Sequence, residues 1–229
     1  MAIARRGTVQ TAGSTTTVAG PISVVAPAAI ANNDVWIVQF FTGGNTTNVV
    51  AAPAGKNWVS AASQPLTSTG RSYLFWKVWV TGDTTTDSFT FTVSSSYGVI
   101  SGAYSGCNTT TPVGAQSNAA DNTSNTTLNV SAITTTAANS MAVLCPGIDS
   151  ASTTYTVVPT GYSNYGENAT GKRVRFDDQA VAGSGTSVPT GANVNYTTSA
   201  SVRGAVFHIE LLVASSGTIY QKTGVAVLT

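Results

Sequence analysis

The chain has 229 residues, 8% of them charged, a formal net charge of +1, and a composition dominated by Thr, Ser, Asn, Ala, Gly and Val. Soluble domains ordinarily carry about 25% charged residues; this deficit is rare in a cytosolic enzyme, and the near-zero net charge argues against a general nucleic-acid binder with its basic stripe. The length suits one large all-β domain with a substantial core, and hydroxyl and β-branched residues suit strands exposed on one face, as in extracellular or virion-surface proteins.

The opening stretch, MAIARRGTVQ, holds no apolar core of signal-peptide length, and no run of about 18 apolar residues follows. The expectation is synthesis in a cytoplasm with no membrane anchor, so the Asn-x-Ser/Thr sequons between Asn45 and Asn195 reflect composition. Residues 1–20 are small, polar and Gly-punctuated, and read as an arm that Arg5 and Arg6 would anchor. Pro21 to Ala26 is a short strand. Asp34 to Phe41 (DVWIVQFF) is a strong one, with Trp36, Val38 and Phe40 on one face and Val35, Ile37 and Phe41 on the other. A loop over 45–54 leads to a segment around Trp58.

Arg71 to Val80 (RSYLFWKVWV) is the densest aromatic run. Period two puts Leu74, Trp76, Val78 and Val80 on a core face and Tyr73, Phe75, Lys77 and Trp79 on the other. After a turn over 81–87, SFTFTV at 88–93 gives the cleanest alternation, and 97–104 forms another strand. Residues 105–125 read as a long connection, followed by a strand through Leu128 and Val130. Met141 to Ile148 is a buried strand, 149–171 are turn-forming, and Lys172 to Ala182 alternates Arg173, Arg175 and Asp177 against Val174, Phe176 and Asp178. Val202 to Val213 closes the series, with His208 and Glu210 opposite Phe207, Ile209 and Leu211. No helical period is sustained, so the fold class expected is all-β: an antiparallel jelly-roll β-sandwich of about eight strands over 21–213, with the arm at 1–20 and a strand-forming tail at 214–229.

Several stretches resemble a domain common in phage-encoded structural and surface proteins. They are Asn33 with Asp34; Pro53, Gly55 and Trp58, spaced wider than usual; Tyr73 to Lys77; Ser88 to Thr92; Ala103 to Gly106 with Pro112; Asp178 with Gln179; and Ala205 to Val213. The resemblance spans about residues 21–213. It rests on turns and core positions, and implies a jelly-roll sandwich without a catalytic site, as in head decoration (cement) proteins, fibre components or other virion proteins.

The residues themselves argue against an enzyme. His208 is the one histidine, mid-strand beside Glu210, with no Gly-x-Ser-x-Gly elbow. Its plain reading is a strand-face residue at a subunit contact. Asp177 and Asp178 are adjacent in a strand and face opposite sides, so they cannot pair across a sugar. Asp83 and Asp87 bracket a polar turn too poor in acids for Ca²⁺. Cys107 and Cys145, which could pair only if the fold brings them together and otherwise read as free buried thiols, make no zinc set with one histidine. No cofactor or metal is expected.

Surfaces carry the remaining signals. The aromatic face Tyr73, Phe75, Lys77 and Trp79 reads as a subunit or capsid contact. Arg173 and Arg175 concentrate charge, either for an electrostatic partner contact or as an exposed ladder. In the tail, Ile219, Tyr220, Val225 and Val227 could complete the sheet of their own domain or, the preferred reading, add a strand to a neighbour. The expectation is a virion capsid decoration protein on the capsid surface. Its partners would be the major capsid protein and its own copies, as a trimer by role, and it would contact neither nucleic acid nor membrane. The alternative is a carbohydrate- or receptor-binding module of a fibre or tail, stacking glycan on Tyr73, Phe75, Trp79 or the loop tyrosines.

Overall fold

The computed structural model describes residues 2–67, 70–191 and 193–214. These form seventeen strands and no helix. In chain order they are β1 (Ala4–Arg5), β2 (Gln10–Val18), β3 (Ile22–Val25), β4 (Val35–Gly43), β5 (Val50–Ala51), β6 (Val59–Leu66), β7 (Gly70–Val78), β8 (Thr86–Phe91) and β9 (Ser95–Ser105). The second half supplies β10 (Val113–Leu128), β11 (Ile133–Thr134), β12 (Ser140–Ile148), β13 (Tyr155–Val157), β14 (Ser163–Asn168), β15 (Arg173–Val181), β16 (Ser187–Val188) and β17 (Tyr196–Leu211).

Two large antiparallel sheets pack face to face. One runs β1-β9-β4-β7-β6 with β2 also on β9, and the other β10-β17-β12-β15-β14 with β13 also on β17. The first comes wholly from the N-terminal half and the second wholly from the C-terminal half. Numbered from one to eight within each half (β2–β9 and β10–β17), both large sheets run 1-8-3-6-5, and in both halves strand 2 pairs with strand 7. The run 1-8-3-6 is the hydrogen-bonding order of a jelly roll. An all-β antiparallel sandwich is therefore present, but its strand order occurs twice, where the sequence suggested one set of about eight strands.

Three apolar layers follow from the alternation along the central strands. Between the large sheets lie Ile37, Phe41, Leu74, Ile100 and Tyr104 from one side and Val143, Val174, Phe176, Phe207 and Ile209 from the other. The outer face of the first sheet carries Trp36, Val38, Phe40, Tyr73, Phe75 and Trp79 beneath the small sheet β3-β8-β5, which contributes Ile22, Val24 and Phe89. The outer face of the second sheet carries Leu144, Ile148 and Val206 beneath Ile133, Tyr155, Tyr162 and Val188. Strands β4 and β12 are consequently buried along their full length on both faces. That explains why both read as nearly unbroken apolar runs rather than polar-apolar alternations.

The segment read as an arm is part of the first sheet. Ala4 and Arg5 pair with Ser105 and Tyr104, and Gln10 to Ser14 pair with Ser101 to Tyr97. Arg6 pairs with Asp34 at 3.0 Å. The other unexpected strand is β10, sixteen residues long, where a connection was expected. Its Asn, Asp, Gly and Ala have weak strand propensity, but pairing with the buried strand β17 over Val113 to Leu128, through three register shifts, overrides it.

Where the halves meet at one end, the backbones nearly touch. A Cβ built on Gly98 would lie 1.7 Å from the carbonyl oxygen of Lys172, so only glycine fits. The Asn168 side-chain amide donates to the Ala12 carbonyl at 2.7 Å across the same seam.

Candidate functional site

The most concentrated chemistry lies under the small sheet. Lys77 projects from β7 opposite Trp36 of β4, on the same face as Phe75 and Trp79. Its side chain is 0% exposed. Nζ stands 5.0 Å from a Trp36 ring, 5.1 Å from Trp58 and 5.3 Å from Trp79, a three-sided indole cage. Asp87, entering from β8, closes it at 2.9 Å through Oδ2, and Asp83 Oδ1, from the preceding turn, lies 3.4 Å from Nζ. Trp58 Nε1–H donates to Asp87 Oδ2 at 2.8 Å and the Thr84 hydroxyl to Asp87 Oδ1 at 2.9 Å. Burial would push the Asp87 carboxyl up, but hydrogen bonds from Lys77, Trp58 and Thr84 outweigh it and hold it below the ordinary carboxylate value.

This arrangement corrects the reading of the aromatic face. Tyr73 is 3% exposed, Phe75 3%, Lys77 0% and Trp79 7%. The face is covered by the chain's own β3-β8-β5 sheet, because the apolar side of SFTFTV folds back onto it through Phe89. The Tyr73 hydroxyl donates to the Asn48 carbonyl in the same layer. These residues therefore offer neither an outer contact surface nor a stacking platform for sugars. Asp83 and Asp87, read as turn residues, both face Lys77.

Arg173 and Arg175 are each 8% exposed and so form no surface ladder. Arg173 pairs with Glu167, and Arg175 Nη2 reaches Asp177 Oδ1 at 2.7 Å. Asp177 also accepts from the Tyr196 hydroxyl at 2.6 Å, and burial raises its pKa. Asp178 points the other way, as alternation requires, and meets Arg5 from β1 together with the Tyr104 hydroxyl. Ile219, Tyr220, Val225 and Val227 lie outside the described residues.

His208 is 1% exposed. Nε2 and the Tyr162 hydroxyl are 2.7 Å apart, and Nδ1 is 3.0 Å from the Ser131 carbonyl oxygen. Burial pushes its pKa down to about 4, so the ring is neutral at pH 7 and serves as a core polar link, not a surface contact. Neighbouring Glu210 accepts from the Thr136 and Ala137 amides and the Thr136 hydroxyl, tying the loop after β11 to β17. Cys107 and Cys145 are free, buried thiols, and burial pushes Cys107 up to about 12.

The surface is as distinctive as the interior. Among the described residues no Asp, Glu, Lys or Arg is fully exposed; each is buried or half-buried. What faces solvent is mostly Thr, Ser, Asn, Ala and Gly, as along Thr15, Thr16 and Thr17 of β2 and Thr123, Ser124, Thr126 and Thr127 of β10, with scattered valines such as Val25 and Val80. Between the edge strands β6 and β10 opens a cleft of about 350 Å³, lined by Ala61, Ala62, Gln116 and Asn118 over Phe207 and Ile209. No cluster of three or more His, Cys, Asp or Glu able to hold a metal ion occurs among the described residues. No family model, curated protein or solved structure matches the chain.

Proposed function

We propose that the chain is a structural subunit of a protein particle, of the capsid-decoration kind, which docks on an assembled shell and reinforces it. The observation that carries this reading is the neutral surface. Interface cores are depleted of charged residues, and a protein keeps apart from its neighbours largely through exposed charge. Here most charged side chains pair within the fold, where they brace it, with Arg5 and Arg6 keeping part of their side chains in solvent, and the exterior is left mainly with neutral groups that cost less to desolvate on docking than charges do. A module that binds the assembled lattice and not its free subunits stabilises assembly by mass action, with no chemical step. Its partners in this reading are the major capsid protein and further copies of itself.

The experiment is localisation with a count. Particles purified from producing cells are expected to carry the protein in a fixed ratio to the shell subunit, and to release their contents at lower temperature when it is removed. A protein recovered only as free monomer, absent from any particle, overturns the proposal.

A further inference from the structure

We propose that Lys77 and Asp87 join in an intramolecular isopeptide bond, making the indole cage a self-modification site that staples the small outer sheet to the first large sheet. This stands independently of the proposed function.

The geometry supplies what amide formation between side chains needs. Nζ and Oδ2 are 2.9 Å apart, which places the carboxyl carbon one bond beyond the hydrogen-bonded oxygen, a short approach from the nitrogen. Both groups are cut off from water, with side chains 0% and 1% exposed, so the reverse hydrolysis lacks its reactant. Neither can swing away. Lys77 is wedged among three indoles, and Asp87 is held by Trp58 and Thr84. A second carboxylate, Asp83, lies 3.4 Å from the same nitrogen and is half-buried in a turn anchored by the Val80 amide, in place to carry a proton.

The steps balance without an outside reagent. The proton shared between Nζ and Oδ2 moves to the oxygen, leaving a neutral amine beside a carboxylic acid; the hydrogen bonds that hold Asp87 ionised oppose this transfer, which makes it the uphill step, while exclusion of water lowers its cost. The nitrogen lone pair attacks Cγ, the N–C bond forms, and negative charge gathers on Oδ1, where the Thr84 hydroxyl donates. Asp83 takes one proton from the nitrogen and returns it to the Oδ2 hydroxyl, which leaves as water while the C=O bond re-forms. An ammonium and a carboxylate become one amide and one water; Asp83 is restored, and nothing is oxidised or reduced. The product exchanges a buried charge pair for a neutral amide whose N–H faces Asp83 and whose oxygen keeps the Thr84 bond.

Peptide mapping of the purified, folded wild-type chain tests this directly. Trypsin cannot cut after an acylated lysine, so residues 72–172 are expected as one peptide, lighter than its sequence by one water. Further cleavage at Trp79 should leave the pieces carrying Lys77 and Asp87 joined. Asp87→Ala restores the full mass and tryptic cleavage after Lys77, and Asp83→Asn leaves a larger fraction of chains unjoined. Cleavage after Lys77 in the wild-type chain overturns the proposal. So does a loss of water that persists in Asp87→Ala. An unchanged joined fraction in Asp83→Asn removes Asp83 from the mechanism.

Discussion

Arg5 and Asp178 stand 173 residues apart in the chain and meet in a two-pronged ion pair, Nε to Oδ2 and Nη2 to Oδ1, each at 2.7 Å. Arg5 also donates to the Ser163 and Asn164 carbonyls and lies over the Tyr165 ring at 5.1 Å. The contact joins the first strand of one half to β15 and β14 of the other. Breaking a fully buried pair costs about 3–5 kcal/mol. The Arg5 side chain is 33% exposed, so solvent screening reduces the expected loss for Arg5→Ala to about 2 kcal/mol. Urea unfolding of the variant measures it; a shift under about 0.5 kcal/mol would show that the clasp contributes no more than a surface pair.

The seam at Gly98 is steric rather than electrostatic. Gly98→Ala places a methyl group against the Lys172 carbonyl, 1.7 Å away before any movement, and backbone cannot step aside as a flexible side chain could. The expected cost is about 3 kcal/mol, visible as a lowered melting temperature. Wild-type stability in Gly98→Ala would mean that the halves do not meet in this register.

Phe89 covers the aromatic layer. It is 0% exposed, with ring centroids 5.0 Å from Phe40, 5.2 Å from Trp58 and 5.2 Å from Phe75. Phe89→Ala should lose about 3–5 kcal/mol and admit a fluorescent apolar dye to the exposed layer. Full stability without dye binding would show the small sheet to be dispensable.

Acid sensitivity has a defined window. The ordinary histidine pKa is 6.5, and that of His208 is pushed down to about 4. Above 6.5 both folded and unfolded chains hold a neutral ring. As the pH falls toward 4, the unfolded chain gains a proton that the folded chain refuses, and about 3 kcal/mol of stability is lost. Glu210, held below its ordinary 4.5 mainly by loop amides that outweigh its burial, loses its contribution only at lower pH. Urea midpoints measured from pH 7 to pH 4 should fall in the wild-type chain and flatten in His208→Gln. Equal slopes would mean that the ring takes up a proton in place.

Much of the fold was legible because local pattern and burial agree. The two faces of β4, the alternation of SFTF at 88–91 and the opposed directions of Asp177 and Asp178 follow from period two alone, whereas Val93, expected inside, lies beyond β8 and is exposed. The strand β10 was not legible, because what makes it a strand is the neighbour β17, not its own run of Asn, Asp, Gly and Ala. Nor was the doubled strand order, since VWIVQFFTG of β4 and SMAVLCPGI of β12 hold equivalent places with little in common beyond being apolar.

For Lys77, the sequence by itself determined that one cation sits within an aromatic strand face and that such a face must be covered. Only the tertiary structure decided what covers it. A turn of a few residues brings β8 over β7, Phe89 seals the layer, and Asp87 arrives 2.9 Å from Nζ. Alternation along one strand tells which side a residue faces, whereas the occupant of that side is chosen by packing between strands, and one strand's periodicity carries no record of it.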